Sequence, residues 1–461
     1  MAEASGILAQ IVARKRVDVA ARLGGFGLDS AEPTRRSLKA ALERPGTRFI
    51  MEVKRGSPSG GAIRPGADAA GLARAYRGAA DAISVLTDAP YFGGSLEDLR
   101  AVRQEFLGPI LAKDFVVDPR QVAEARLHGA DAVLVILAVL ADGEAAAVMA
   151  AARRLGMDVL VEAHTAGEVE RAVRLGADIV GINNRNLDTL EIDLATTERL
   201  AGLVPAGTLV VAESGISSPA DVGRLAPFAD AFLVGSSLMR SEDPAEAARA
   251  LAFGRVKVCG ITDGHDAAMA ADHGAAYAGI VMVPNTPRAV TLSQAEAIAE
   301  ASPVPLVGVY RNEKPIRIAN AARALGLRAV QLHGEEDALY IRALRNLLPE
   351  ETEIWAAAAV GREVPQARLG ADRTLFDTQI GGRSGGTGTA FDWSRLRGRA
   401  DLGRSVLAGG LRPSNARAAS RVGAFALDVG SGVEMAPGRK DAGLLYAFFE
   451  ALRPPARGEA T

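Results

Sequence analysis

Cysteine is nearly absent: Cys259 is the only one in 461 residues. A single thiol excludes a disulfide framework and a cysteine-rich zinc site, and it suits a reducing cytoplasm. Long apolar runs are missing too. The longest, Ala132 to Ala141, falls far short of the roughly 20 residues a membrane span needs. Glu3 comes early and no long apolar core follows it, so no secretory signal is expected. The histidines are His128, His164, His265, His273 and His333, and none lies two or four residues from another, so no local pair offers a metal site. Neither Gly-x-Gly-x-x-Gly nor a Walker A sequence occurs, which argues against a dinucleotide or a nucleoside triphosphate. The net charge of −2 supplies no basic field for nucleic acid and no polybasic membrane anchor. A small soluble molecule is the better-fitting partner.

Lysine is also scarce. Of 53 basic residues seven are lysine: Lys15, Lys39, Lys54, Lys113, Lys257, Lys314 and Lys440. Arginine serves a surface equally well but does not release its proton near neutral pH, whereas a desolvated lysine can. A lysine on an apolar strand is therefore a candidate for chemistry.

What is present is a rhythm. Residues 7–45 read as helical, opened by the apolar stripe Ile7, Leu8, Ile11 and Val12. From Arg48 short apolar runs alternate with amphipathic segments. Eight strand candidates follow: Phe49–Lys54, Ala82–Leu86, Ile110–Lys113, Ala132–Leu137, Val159–Glu162, Ile179–Asn183, Leu209–Ala212 and Ala231–Val234. Eight more come after them: Val256–Cys259, Tyr277–Met282, Leu306–Val309, Ala329–Leu332, Ile354–Ala358, Thr374–Asp377, Ser405–Ala408 and Ala424–Asp428. Gly129, Gly176, Gly370 and Gly423 each close a helix just before a strand, where a left-handed residue is wanted. Strand–helix alternation with eight strands predicts an α/β fold of two consecutive (β/α)₈ barrels, the first with an N-terminal helical extension. A doubly wound open sheet would need fewer strands per unit and usually a Gly-rich first turn. The seam is placed near Phe253–Arg255, giving domains 1–254 and 255–461.

Barrel enzymes carry their sites at the C-terminal ends of the strands. In the first barrel those ends hold Glu52, Lys54, Lys113, Glu162, Asn183 and Glu213. Glu52 and Lys54 are two apart and share one side of their strand. Ser214-Gly215 and Gly235-Ser236 follow strands seven and eight, where small residues let backbone N–H groups approach a phosphate. Lysines and glutamates converging there suit proton transfer on a bound sugar phosphate. A structural ion pair at the rim is the alternative for any single one of them. In the second barrel Lys257 and Cys259 repeat the alternation of Glu52 and Lys54. His333 and Asp377 end strands four and six, and Gly409-Gly410 with Ser431-Gly432 form a second phosphate cradle. A lone strand cysteine is usually a small buried hydrophobe. At a strand end, with Asp377 entering from the far side, thiol and carboxyl could instead form a base and acid pair.

Longer motifs surround these positions. Residues 48–254 resemble indole-3-glycerol-phosphate synthase through Glu52-Val53-Lys54 with Ser57-Pro58-Ser59, Leu86-Thr87-Asp88, Lys113-Asp114-Phe115, Val161–His164, Gly181–Leu187, Glu213–Ile216 and Gly235–Met239. Residues 255 to about 450 resemble phosphoribosylanthranilate isomerase through Lys257–Thr262, Thr286-Pro287-Arg288, Val330–Gly334, Phe376-Asp377, Gly385–Trp393, Leu407–Leu411 and Leu427–Glu434. The two in this order are similar to the fused bifunctional enzymes of tryptophan biosynthesis.

The resemblance implies roles. In the second barrel Cys259 is the base that takes the C2 proton in an Amadori rearrangement, Asp377 the acid that helps open the ribose, and Arg288 the holder of the anthranilate carboxylate. In the first, Lys113 is the acid at the carbonyl and Glu162 the acid or base of dehydration, with Lys54 and Glu52 assisting. Asn183, Arg185, Glu213 and Ser214 orient the substrate, and Ser57, Phe115, Gly215, Gly235 and Ser236 contact it. His333, Gly409, Gly410, Ser431 and Gly432 do so in the second barrel. Neither step needs a metal or redox cofactor. A cytoplasmic monomer acting on phosphorylated small molecules is expected, with no nucleic-acid or membrane partner. Two departures from the family pattern stand out. Gly60 takes the place of a common Lys after Ser-Pro-Ser, which predicts a more mobile first loop, and Gly430 stands where Ser is common.

Two rivals remain on the residues alone. One is a tandem sugar-phosphate isomerase or aldolase of another pathway, since fold does not fix substrate. The other is a barrel kept as a binding module, against which Lys113, Glu162, Cys259 and Asp377 all speak.

Overall fold

The structure, a computed structural model, describes residues 6–27, 29, 31–57, 61–187, 189–380, 383–384 and 390–459. Pro58, Ser59, Gly60 and Gly385–Gly388 lie outside the described residues, as does the side chain of Ser57.

The first ring is built from Arg48–Val53, Ala82–Leu86, Ile110–Lys113, Ala132–Ile136, Asp158–Ala163, Ile179–Asn183, Leu209–Glu213 and Ala231–Val234. All are parallel, neighbours in sequence pair in order, and the first strand pairs with both the second and the eighth, so the barrel is closed. The strands read as unbroken apolar runs because one face meets the barrel interior and the other the helices. Inside, Ile50, Leu111, Leu134, Leu160, Val211 and Leu233 form one cluster. Each such side chain contributes roughly 1.5–3 kcal/mol by leaving water.

The N-terminal extension differs from the continuous helical reading. Gly6–Arg22 is a helix, the chain is then largely irregular, and Leu38–Leu42 is a second short helix. Gly24, Gly25 and Gly27 remove helix propensity and Pro33 removes a donor. Tertiary contacts explain the break. Leu38 and Leu42 join the interior cluster beside Ala82, Ala132, Ile179 and Ala231, the residues that open their strands, and so plug the bottom of the barrel. Lys15 instead reaches Asp88 and Asp114 just beyond the tops of strands two and three, each at 2.7 Å. One straight helix cannot cover both ends. The connecting segment is tied along the wall by Arg22 with Glu124 at 2.8 Å and the N–H of Thr34 on Leu155 O at 2.9 Å.

The second ring comprises Arg255–Cys259, Tyr277–Val281, Leu306–Tyr310, Ala329–Leu332, Glu353–Val360, Arg373–Ile380, Val406–Leu407 and Ala426–Val429. Pairing of the fifth strand with the sixth closes it. Trp355 is fully buried, edge-on to Tyr277 at 5.5 Å between centroids, and its indole N–H donates to Glu353 at 2.7 Å. No helix follows the fifth strand: residues 361–372, which include Pro365, run as a loop directly into the sixth.

Glycine closes the helix–strand junctions as expected at Gly129, Gly176 and Gly423, with φ of 104°, 71° and 83°, whereas Gly370, expected to close a helix, is left-handed at φ 84° in a loop that no helix precedes. By contacts the chain divides into two units, Met1–Ala252 together with Pro454–Thr461, and Phe253–Arg453. The final residues therefore belong with the first unit, which corrects the boundary that left them with the second. The N–H of Thr47 donates to Pro454 O at 2.9 Å, and Glu459 accepts from the N–H of Gly46 at 2.9 Å. No helix among the described residues is long and apolar enough to cross a membrane.

Candidate active sites

The first barrel opens at the top of its strands into a cavity of about 360 Å³. Every first-barrel candidate whose side chain is described lines it. At its centre is Lys113, the last residue of strand three. Its Nζ lies 3.0 Å from Glu213 Oε2 on strand seven and 3.3 Å from Glu162 Oε2 on strand five. Glu52 and Lys54, from strand one, pair at 2.6 Å. Asn183 Nδ2 donates to Glu162 Oε1 at 3.1 Å, and Asn183 Oδ1 accepts the N–H of Arg185 at 3.0 Å.

Burial and charge set the proton affinities. Burial works against the Lys113 ammonium, but Glu213 and Glu162 outweigh it and hold its pKa above the ordinary lysine range. Burial likewise opposes the Glu162 carboxylate, but Lys113 and His164 overcome that and hold its pKa well below the usual range. Glu213 goes the other way. Desolvation, only partly offset by Lys113 and reinforced by the Glu162 charge, pushes it up to about 7. Its Oε1 is buried with no hydrogen-bond partner among the described residues. One cation thus faces two carboxyls of opposite tendency, an arrangement suited to moving protons near neutral pH.

Strain marks the loops after strands seven and eight. Ser214 and Gly215 take consecutive left-handed conformations, φ 65° and 87°. Gly235 lies so close to Glu52 that a Cβ would stand 2.9 Å from the Glu52 Cβ. Ser237 Oγ donates to Ile216 O at 3.0 Å, joining the loops after strands seven and eight. Arg185 and Arg240 also line the cavity, and burial followed by the Arg240 charge lowers the Arg185 pKa. Two crowded guanidiniums beside glycine-rich loops favour an anion.

Several lining residues escaped the sequence reading. Leu8 and Ile11 of the N-terminal helix and Phe92 join Phe115, which the sequence did single out (ring centroids of the two phenylalanines 6.2 Å apart), in an apolar wall. The stripe at the N-terminus was a signal, but nothing in it said which end of the barrel it covers. Lys15, conspicuous as a rare lysine, proves to be the buried anchor of that helix. Arg240 ends the Ser236–Arg240 turn and could have been read from the loop after strand eight.

The second barrel brings its set together differently. Lys257 is fully buried, and its Nζ meets Asp428 Oδ2 of strand eight at 2.8 Å. Cys259 is partly exposed at the end of strand one, and opposite Gly279 a Cβ would come within 3.1 Å of Sγ and 2.7 Å of Lys257 Cε. Burial raises the thiol pKa and Lys257 only partly counters it. Asp377, buried near the middle of strand six, meets His333 Nε2 at 3.2 Å, and Gln331 Nε2 lies 3.2 Å from His333 Nδ1. Strand six lies three places round the ring from strand one, so Cys259 and Asp377 enter from different sides. Gly409 and Gly410 are left-handed, and a Cβ on Gly409 would stand 2.8 Å from Asp377 Oδ1. A Cβ on Gly432 would collide with the carbonyl of Leu411, so the loops after strands seven and eight touch backbone to backbone. At Gly430 a Cβ would meet nothing closer than 3.7 Å, so glycine is not required there by space. Arg288 is forked onto Glu434, at 2.9 and 2.6 Å, and Glu434 also takes Lys440 at 2.8 Å. The sequence reading assigned neither Glu434 nor Lys440 a role.

Fold and rims together define a tandem of two barrel enzymes. Residues 8–251 match the family model of indole-3-glycerol phosphate synthase, and residues 256–451 that of N-(5'phosphoribosyl)anthranilate isomerase. The tryptophan biosynthesis protein TrpCF of Salmonella typhi is 44% identical over 97% of this chain and 99% of its own. That of Vibrio cholerae is 43% identical over 98% and 97%. A solved phosphoribosyl anthranilate isomerase from Thermus thermophilus is 34% identical, covering 43% of this chain and 98% of its own with a TM-score of 0.39. The chain belongs to the bifunctional TrpCF family of tryptophan biosynthesis enzymes, a synthase (lyase) barrel followed by an isomerase barrel.

Proposed function

We propose that the two activities are carried by the two residue sets at the rims. In the second barrel Cys259 takes the C2 proton of ring-opened N-(5'-phosphoribosyl)anthranilate, Asp377, braced by His333, protonates the ribose oxygen as the ring opens, and Arg288 faces the anthranilate carboxylate. Gly409-Gly410 and Ser431-Gly432 receive the phosphate. In the first barrel the product, 1-(2-carboxyphenylamino)-1-deoxyribulose 5-phosphate, closes to indole-3-glycerol phosphate with loss of carbon dioxide and water. Lys113 gives its proton to the carbonyl oxygen under attack, Glu162 serves the dehydration, and Lys54 with Glu52 assists. Ser214, Gly215, Gly235 and Ser236 take the phosphate while Phe115 lies along the aryl ring. The observation that supports this most is the Lys113 ammonium held between Glu162 and Glu213 on a cavity that is apolar on one wall. The working form is proposed to be a cytoplasmic monomer with no nucleic-acid partner.

The test is to follow anthranilate fluorescence with phosphoribosylanthranilate supplied and, in a separate assay, indole absorbance with 1-(2-carboxyphenylamino)-1-deoxyribulose 5-phosphate supplied. Lys113→Ala should stop indole-3-glycerol phosphate formation and leave isomerisation intact, and Cys259→Ala the reverse. One substitution silencing both reactions would sink the two-site assignment.

A further inference from the structure

Strand five ends in Glu162 and Ala163, and His164 follows it. Glu162 lines the substrate cavity, and His164 does not. Its ring stands between two carboxylates: Nε2 is 3.2 Å from Glu162 Oε1, and Nδ1 is 3.3 Å from Glu168 Oε2. Glu168 sits in the first turn of helix Ala166–Arg174, and the same Oε2 accepts the backbone N–H of His164 at 2.7 Å. Nε2 makes no hydrogen bond among the described residues, so its contact with Glu162 is an ion pair at close range. The histidine side chain is only 9% exposed. A neutral imidazole has one N–H for two carboxylates, whereas an imidazolium has two.

We propose that His164 is a positioning residue for Glu162: a buried imidazolium, braced by Glu168, that holds the carboxylate ionised and aimed at Lys113. The proposal rests on Glu162 acting in the first barrel's reaction.

The surrounding charges agree. Glu162 faces Lys113 from strand three, Asn183 from strand six and the Glu213 carboxyl from strand seven. Glu168 in turn feels Arg171 of the same helix, which is itself paired with Asp142 at 2.8 Å. Burial opposes the charge on the ring, but the two carboxylates outweigh it and raise its pKa to about 10. Without that cation, Glu162 would keep Lys113 but lose the charge on its other oxygen.

The experiment is the pH dependence of kcat and KM for indole-3-glycerol phosphate formation in the full chain, for the parent, His164→Asn and Glu162→Gln, together with ¹⁵N-imidazole shifts of the parent and Glu168→Gln. His164→Asn should move the acidic limb of kcat upward by about one pH unit, as expected for loss of an adjacent opposite charge, with KM changed less than about twofold because the ring is off the substrate cavity. The His164 ring should be doubly protonated at pH 8 in the parent, and Glu168→Gln should lower the pH at which it loses that proton. A limb that stays in place while kcat falls, or a neutral ring at pH 8, overturns the proposal. Should His164→Asn not fold, the ring shifts decide it. If Glu162→Gln keeps full activity, the assignment of Glu162 fails instead, whatever His164 does.

Discussion

Lys257 Nζ and Asp428 Oδ2 meet at 2.8 Å with the lysine wholly enclosed, directly beside the only thiol of the chain. Burial raises the Cys259 pKa, Lys257 opposes the rise, and Asp428 adds to it. Lys257→Met should therefore push the thiol further up and leave less thiolate at pH 8. Iodoacetamide reacts with thiolate, and one cysteine makes its rate unambiguous. The midpoint of alkylation against pH should lie above the ordinary thiol value in the parent and higher still in the variant. Isomerase kcat should fall while synthase activity is retained. The buried Asp428 left unpaired should cost about 3–5 kcal/mol of stability, which a melting curve reads. An unchanged alkylation profile would show that Lys257 does not tune the thiol.

Glu213 and Glu162 share Lys113 but titrate in opposite senses. The Glu213 pKa is raised to about 7, so between its unfolded value and pH 7 the native state holds a proton that the unfolded chain has lost. That contribution to stability is full at low pH and declines as pH rises through this window. Glu213→Gln, which has no proton to lose, should gain in melting temperature relative to the parent as pH climbs from about 4.5 to 7, then level off. A difference that stays flat across the window would show that Glu213 is already ionised.

Lys15 is pinned between Asp88 and Asp114 at 2.7 Å each, and it carries the helix whose Leu8 and Ile11 form part of the cavity wall. Lys15→Met leaves two carboxylates facing each other without their cation. Limited trypsin digestion should then cleave within Gly6–Arg22 faster, and synthase KM should rise more than kcat falls. Isomerase kinetics should not change. Equal protease resistance in parent and variant would mean that apolar contacts alone hold the helix.

Two glycines of one loop should respond oppositely. At Gly430 a side chain fits, so Gly430→Ser should alter isomerase KM less than twofold and stability by under about 0.5 kcal/mol. At Gly432 a Cβ meets the carbonyl of Leu411, so Gly432→Ala must displace the loop that is proposed to hold the phosphate. Its KM should rise tenfold or more with little change in kcat. Comparable KM values for the two variants would contradict the backbone contact.

Periodicity and chemistry were legible in the chain itself. Sixteen short apolar runs in two sets of eight name the barrels, because a strand buried on both faces must be apolar throughout. The strand ends name the chemistry because a parallel barrel gathers all eight of them on one rim. This is why Lys113, Glu162 and Glu213, far apart in sequence, could be chosen together, and both carboxyls are found within 3.3 Å of the Lys113 ammonium. Tertiary structure alone decided the rest. It put the Gly6–Arg22 helix on the top of the first barrel and Leu38–Leu42 at the bottom, and it carried the last residues back to the first unit. It turned the Lys257 alternation into a buried pair with Asp428 and locked Arg288 onto Glu434. It also set His164 between two glutamates. Local pattern fixes which face of a strand or helix a residue occupies. Which charge it meets depends on how distant segments pack, and in a dry interior that meeting sets the proton affinity.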